Sequence, residues 1–348
     1  MKKYLLFIKR ASRYGDKSCF VIGSRPMQSF SDPAILFFVF GLLAGLLKSN
    51  LEIQPPISRF LSLYLLMALG LKGGFALAKS GFTPEVLVSL GAALGLAVLV
   101  PVLGYLLLRR FLNGFDAAAV AATYGSVSAV TFITATQYLE SHGVAVGGHM
   151  AAAMALMESP AIVLAVVLAN HARRQAALAS GAGPVNAPLG RTLHESLTDG
   201  AQLLLLGAMV IGLVTGEAGQ AAMAPFSVAL FKGMLAFFLL DMGLLAARNV
   251  GKLKGQSAWL LAYAVLGPLV HAGLALVLGW ALGMSVGNVA LLMVLAASAS
   301  YIAVPAVIRH AIPEASPSLY FGMSLGLTFP FNILVGIPLY TYAAQRWV

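Results

Sequence analysis

Two short polar clusters stand out in this sequence, GSVSAVT at 125–131 and ASASYIA at 297–303 followed by Pro305, because each sits inside a run that is otherwise Ala, Leu, Val and Ile. Serine and threonine hydroxyls donate and accept hydrogen bonds without carrying charge. Where a helix breaks at such a cluster, the N-terminus of the following half-helix presents free N–H groups and about half a positive charge, which suits a small anion. Unwound carbonyls together with hydroxyl oxygens suit a hard monovalent cation such as sodium. Small residues also let membrane helices pack closely, so one cluster alone has a packing reading as well. Two clusters whose serines fall 172 positions apart, Ser126 and Ser128 against Ser298 and Ser300, favour a shared site.

Ionisable residues inside the apolar runs are the second group with chemistry to offer, since each costs several kcal/mol in hydrocarbon unless paired or hydrated. They are Lys72, Glu158, Asp241 and His271. Glu158 precedes Ser159-Pro160 and reads equally as a cation ligand or ion-pair member and as a structural group. Asp241, in FFLLDMGLL, either pairs with Lys72 or ligates sodium. His271 follows Pro268 and reads as a packed histidine; Asn170, Thr328 and Asn332 are weaker candidates.

The elements that position these residues must be membrane helices. The chain is 59% hydrophobic and 10% charged, with a mean hydropathy of +0.88, where soluble chains carry about a quarter charged residues. A water-soluble fold is excluded. Cys19 is the single cysteine, which removes a disulfide framework and thiolate metal cluster from consideration. The net charge of +10 does not point to nucleic acid: residues 1–26 hold seven basic groups against Asp16 and so supply +6 of it, and the rest is spread over short loops. Met27 reads as the natural start, and residues 1–32 as a leader that is an extension of the native chain.

Apolar windows predict ten spans, near 33–48, 57–79, 84–108, 116–139, 149–170, 200–215, 226–248, 257–282, 287–311 and 316–342. The Ala/Gly/Pro-rich linker 171–199 separates a first set of five (33–170) from a second (200–342), and 343–348 is a tail. The sets share anchors at a near-constant offset: the serine clusters at 172, Gly70 with Gly243 at 173, and Pro160 with Pro330 at 170. An odd number of spans per copy makes the second copy enter the membrane from the opposite face. The predicted fold class is therefore an all-α polytopic membrane protein of about ten helices, a five-plus-five inverted-topology repeat with two broken helices meeting at the midplane. Lys and Arg are concentrated in the alternate loops that hold Arg59, Arg109, Arg110, Arg173, Arg174, Arg248 and Arg309, which places the termini outside and the linker 171–199 in the cytoplasm; the basic leader argues the reverse.

With those residues in hand, the chain resembles the sodium-dependent bicarbonate transporter family, whose best-known members serve cyanobacterial carbon concentration. The likeness rests on GLKGGFALAKS at 70–80, GSVSAVTF at 125–132, MESPAIVLAVVLAN at 157–170, LFKGMLAFFLLDMGL at 230–244, GPLVHAGLALVLG at 267–279 and the block from Val294 to Tyr320. It implies a gate domain and a core domain, with bicarbonate held by Gly125, Ser126, Val127 and Ser128 from the fourth span and Ser298, Ala299 and Ser300 from the ninth. Ser128 and Thr131 would be sodium ligands, with Glu158, Asp241 and Tyr301 as further positions of the cation shell and sodium as the coupling ion, no other metal or cofactor. It also implies a homotrimer in the cell inner (plasma) membrane and a PII-like regulatory protein as partner. Tyr301 replaces an acid of the family pattern, Glu158 an aspartate and Val130 a serine, which weakens the inference of sodium coupling.

These readings converge on a secondary active transporter, not an enzyme: a sodium-dependent bicarbonate symporter working by an elevator-like displacement. A symporter of another small anion or carboxylate coupled to protons remains an alternative. A passive anion channel and, more remotely, an intramembrane hydrolase built on Glu158 and Asp241 are different classes. Gradient-coupled flux separates the first from the transporter, and the distance between the two acids bears on the second.

Overall fold

The computed structural model describes residues 32–180, 190, 194, 198, 200–253 and 255–348; the leader and most of the linker expectations lie outside them. The described residues contain no strand. The helices are α1 Pro33–Leu46, α2 Pro55–Ser80, α3 Pro84–Leu108, α4 Gly114–Gly125, α5 Ala129–Ser141, α6 Met150–Ser180, α7 Gly200–Ala224, α8 Phe231–Val250, α9 Ala258–Ala281, α10 Val286–Ala297, α11 Ala303–Ala311 and the composite α12 Pro317–Trp347.

Local sequence sets several of these starts. Proline occupies the first turn of α1, α2 and α3, where its missing N–H costs nothing. The side chains of Asp32, Asn113 and Ser257 accept from the first-turn amides of α1, α4 and α9. α6 runs ten residues beyond the predicted end at 170. Arg173 fastens it there, donating to both carboxylate oxygens of Glu314 at 2.7 Å and to the Ala311 carbonyl at 2.9 Å.

Among the described residues seven helices are long and apolar enough to cross a membrane, against ten predicted spans. The difference has physical causes. The sixth and seventh predicted spans fall in one 51-residue stretch, Gly200–Val250, bent at Gly216, whose φ of 53° and ψ of −138° only glycine adopts without strain. The ninth is divided into α10 and α11, each too short alone, and α1 has only 14 residues.

Two helix groups result. In the first, α1 lies along α8 and α2 along α7 so closely that their backbones touch. A Cβ on Gly41 would lie 2.2 Å from the Leu240 carbonyl oxygen, and one on Gly74 would lie 2.1 Å from that of Met209. Small residues permit this approach, which membrane helices use in place of a hydrophobic driving force. In the second group α3, α4 and α6 pack on one another, α9 packs on α10, and α12 closes the bundle. Around Pro330, which has no N–H to give, α12 widens into π-type turns at Gly322–Thr328 and Asn332–Gly336. That opening aims the Asn332 amide at the Ala297 carbonyl, 2.8 Å away at the end of α10.

Candidate functional site

The site is built where the two interrupted spans cross. α4 stops at Gly125, which lies against the ring of Pro101 in α3: a Cβ there would meet the ring at 2.5 Å. Ser126 and Ser128 are extended, and α5 begins at Ala129 with Ser128 as its cap. The Ser128 hydroxyl accepts from the Thr131 amide at 3.2 Å and from the Thr131 hydroxyl at 2.9 Å. The second interrupted span repeats this logic. α10 stops at Ala297, Ser298 is extended, and the Val304 amide in the first turn of α11 donates to the Ser300 hydroxyl at 3.3 Å.

Each break also supports the other. The Ser128 amide donates to the Ser298 hydroxyl at 3.1 Å, and the Ser300 amide donates to the Thr123 carbonyl at 2.8 Å. Unwound backbone in hydrocarbon needs such partners, and the crossing supplies them. The Ser298 hydroxyl passes its own proton to the Leu295 carbonyl at 2.9 Å, whereas the Ser126 hydroxyl is buried with no protein partner.

A cavity of about 70 Å³ opens at the crossing, several times the roughly 10–15 Å³ that one water needs. Val127, Ser128, Ser300, Tyr301 and Glu158 all line it, as do Ala129, Val130 and Ala303 at the starts of α5 and α11. First-turn amides have no partner within their own helix. Two half-helix N-termini, from opposite breaks, thus contribute to a single cavity. Gly125, Ser126, Ser298, Ala299 and Thr131 lie behind its wall in the packed crossing, the three hydroxyl-bearing residues among them fully or almost fully buried.

The ionisable residues are distributed differently from expectation. Lys72 does not pair with Asp241. Its ammonium lies 2.9 and 3.0 Å from the two carboxylate oxygens of Glu140, at the end of α5, and 4.9 Å above the Phe231 ring. A nearby exposed carboxylate at a helix end outcompetes one held deep in α8. Asp241 is outside the cavity wall, 3% exposed, with one carboxylate oxygen lacking any hydrogen-bond partner. Its neighbour Met242 accepts from the Tyr301 hydroxyl at 3.6 Å, so α8 reaches the cavity through that contact. Glu158 faces the cavity and accepts from the Gln202 amide at 2.5 Å.

Gln202 and Ser62 line the same cavity and were not singled out in the sequence. Gln202 had a signal available: an amide side chain opening the run LLLLG inside a predicted span. Ser62 had none beyond its position in an apolar helix. The three weaker candidates all hold the framework. Asn332 meets Ala297 and accepts from the Tyr340 hydroxyl at 2.9 Å, Thr328 joins Tyr124 to the Ala264 carbonyl, and Asn170 accepts from Arg173 at 2.8 Å.

Long apolar helices around a cavity into which Ser128, Glu158, Gln202 and Ser300 bring polar groups, with two helices interrupted at it, define a multi-pass membrane protein of the transporter class. The chain belongs to the Na+-dependent bicarbonate transporter superfamily, whose family model matches residues 33–345. Among curated proteins no match was found. Membership makes the chain a transporter and not an enzyme, with a small anion as its substrate class and sodium as the implied coupling ion.

Proposed function

We propose that the protein is a sodium-coupled bicarbonate symporter whose anion site is the cavity at the crossing. The observation that carries this reading is the pairing of Ser128 and Ser300: 172 residues apart, each accepts from a first-turn amide of the second half of a broken helix beside the same cavity. Two N-terminal half-charges and uncommitted first-turn amides suit a planar monoanion with three oxygens. Of the expected shell, Val127, Ser128 and Ser300 line the cavity and would meet the anion, and Gly125, Ser126, Ser298 and Ala299 lie behind them and hold the two breaks in place. The facing hydroxyls of Ser128 and Thr131 offer oxygens to sodium, and Glu158 on the cavity wall supplies a carboxylate in the same space. Asp241 and Tyr301 complete the cation side from α8 and from the second break.

The same matched serines, with α1 on α8 and α2 on α7 as two like pairs, support a five-plus-five inverted repeat. In this reading α1, α2, α7 and α8 form the gate, and α3–α6 with α9–α12 form the core that moves past it like an elevator. The remaining parts of the proposal rest on the loop charges and the family resemblance: a cell inner membrane setting, termini outside with a cytoplasmic linker, a homotrimer and a PII-like regulator.

Purified protein in liposomes, given labelled bicarbonate with an inward sodium gradient, should accumulate label, and collapse of the gradient should stop accumulation. Uptake that follows an imposed proton gradient and ignores sodium would overturn the coupling, and downhill flux with no accumulation would make the protein a channel.

A further inference from the structure

A second cavity, sharing no lining residue with the first, lies between α3 and α9 on the outer side of the bundle. Its volume of about 320 Å³ falls at the lower end of small-molecule pockets, and it is lined almost wholly by apolar side chains. From Trp259 to Leu274 it follows α9 for 15 residues, about 22 Å at 1.5 Å per residue. α3 and α9 are among the least buried of the long helices, with Leu266, Val270 and Val277 exposed, so the medium at this face is the bilayer itself. The ring of Trp259 stacks on Phe111 at one end, with centroids 5.9 Å apart.

Two polar atoms break the apolar wall. The Tyr263 hydroxyl and His271 Nδ1 are both buried, their residues 8% and 4% exposed, and neither has a hydrogen-bond partner. Their rings lie 6.3 Å apart on the same wall, and a Cβ on the facing Gly104 would come within 2.8 Å of the hydroxyl. His271 lies against the backbone of Ala296, and the tautomer that turns an Nε2–H toward that carbonyl leaves Nδ1 with a lone pair. The wall therefore offers one donor, Tyr263 O–H, and one acceptor, His271 Nδ1. Leaving either unmet in an apolar setting costs about 1–3 kcal/mol.

We infer that this cavity is a binding site for a hydroxyl-bearing amphiphile of the bilayer, an apolar body ending in a neutral O–H. A single hydroxyl meets both needs at once: its oxygen accepts from Tyr263 and its proton goes to His271 Nδ1. An ether accepts but cannot donate, and an alkane does neither. The residues beneath the site connect it to both breaks. Tyr124, one position before Gly125, packs on Tyr263 and His271 with centroid separations of 5.1 and 6.5 Å, and the Ala296 carbonyl lies two positions before Ser298.

The test is photolabelling of the full-length protein in liposomes with a diazirine-bearing octanol. Peptides from α3 and α9 should take the label. Unlabelled 1-octanol should suppress it at least tenfold more effectively than octyl methyl ether or octane. Tyr263→Phe, which keeps the ring, should erase most of the preference for the alcohol over the ether, and Gly104→Leu should block labelling by filling the space opposite. Equal competition by all three compounds would reduce the cavity to a crevice for lipid tails and overturn the inference, as would label confined to other helices. The readout is binding, so it stands or falls independently of the transport proposal.

Discussion

The two breaks are alike in placing a serine that accepts from the following half-helix, and differ beyond it: Ser128 is the cap of α5, whereas α11 is capped by Ile302 without a side-chain bond. After Ser128 comes Thr131, whose amide and hydroxyl both donate to the capping oxygen; 172 positions on, Ser300 is followed by Ala303, and only the Val304 amide reaches it, at 3.3 Å. The residue after Ser128 is Ala129, and its counterpart is Tyr301, whose ring lies on Phe329 and whose hydroxyl reaches Met242 of α8. Their far ends differ as well. α5 ends at a glutamate, Glu140, held by Lys72 of α2 across the two helix groups, whereas the turn after α11 carries Glu314, held by Arg173 of α6 within one group. The first break is therefore the richer in hydroxyl oxygens, and the two reach the neighbouring group at different points, the first at its far end through Glu140 and the second at the break itself through Tyr301. In the proposed reading a symmetric pair of helix ends attracts the anion, and the asymmetry would give the coupled cation a place of its own.

The difference between the far ends gives the largest expected effect. If the second group moves against the first, the distance from Lys72 to Glu140 changes in every cycle and that from Arg173 to Glu314 does not. Cysteines at positions 72 and 140 bridged by a short bis-maleimide should abolish bicarbonate uptake in liposomes, while the same bridge between 173 and 314 should leave at least half. Full uptake with the first bridge in place would rule out the elevator displacement.

Next in size is the contrast between the two serines. Ser128→Ala removes the acceptor of two buried bonds and Ser300→Ala that of one. A buried group left unmet costs about 1–3 kcal/mol and 1.4 kcal/mol is a factor of ten, so initial uptake should fall about a hundredfold in the first variant and about tenfold in the second. Equal losses would mean that the breaks are interchangeable. Thr131→Val then isolates the cation side. It removes one hydroxyl and keeps the shape, so the sodium concentration for half-maximal uptake should rise about tenfold, with the bicarbonate dependence nearly unchanged. Ala303→Thr, the reciprocal change at the second break, should not restore it.

Much of this comparison is legible in the residues alone. The serines of both breaks, their offset and the loss of Leu/Ile/Val character around them follow from residue type in an apolar run, because membrane burial leaves few reasons for such residues. The illegible part depends on which helices meet. Lys72 has two carboxylates to choose from in the sequence, Asp241 and Glu140, and only the packing of α2 against α5 decides for Glu140. Gln202 becomes a cavity residue only because α7 brings it to Glu158, 44 positions earlier. Hydropathy also does not register a bend at one glycine or a helix divided into halves of 12 and 9 residues, so the ten apolar runs do not map one to one onto long helices.

The smallest expected effect concerns the ion pair beyond the second break. Two bonds from the Arg173 guanidinium hold the Glu314 carboxyl below the usual carboxylate range, and the pair is partly exposed. A group whose folded pKa is lowered stabilises the fold above its unfolded pKa, about 4.3 for glutamate, and that stabilisation is lost as pH falls through the folded value. Solvent limits it to about 0.2–1 kcal/mol, the range of exposed pairs. Detergent-solubilised Glu314→Gln should thus melt slightly below the parent protein at pH 7, and the gap should close as the pH is taken from about 5 to 3. A gap of the same size at both ends would assign Glu314 a packing role, and the turn after α11 would then owe its position to the Arg173 bond with Ala311 and the bond from the Ser316 amide to Asp116.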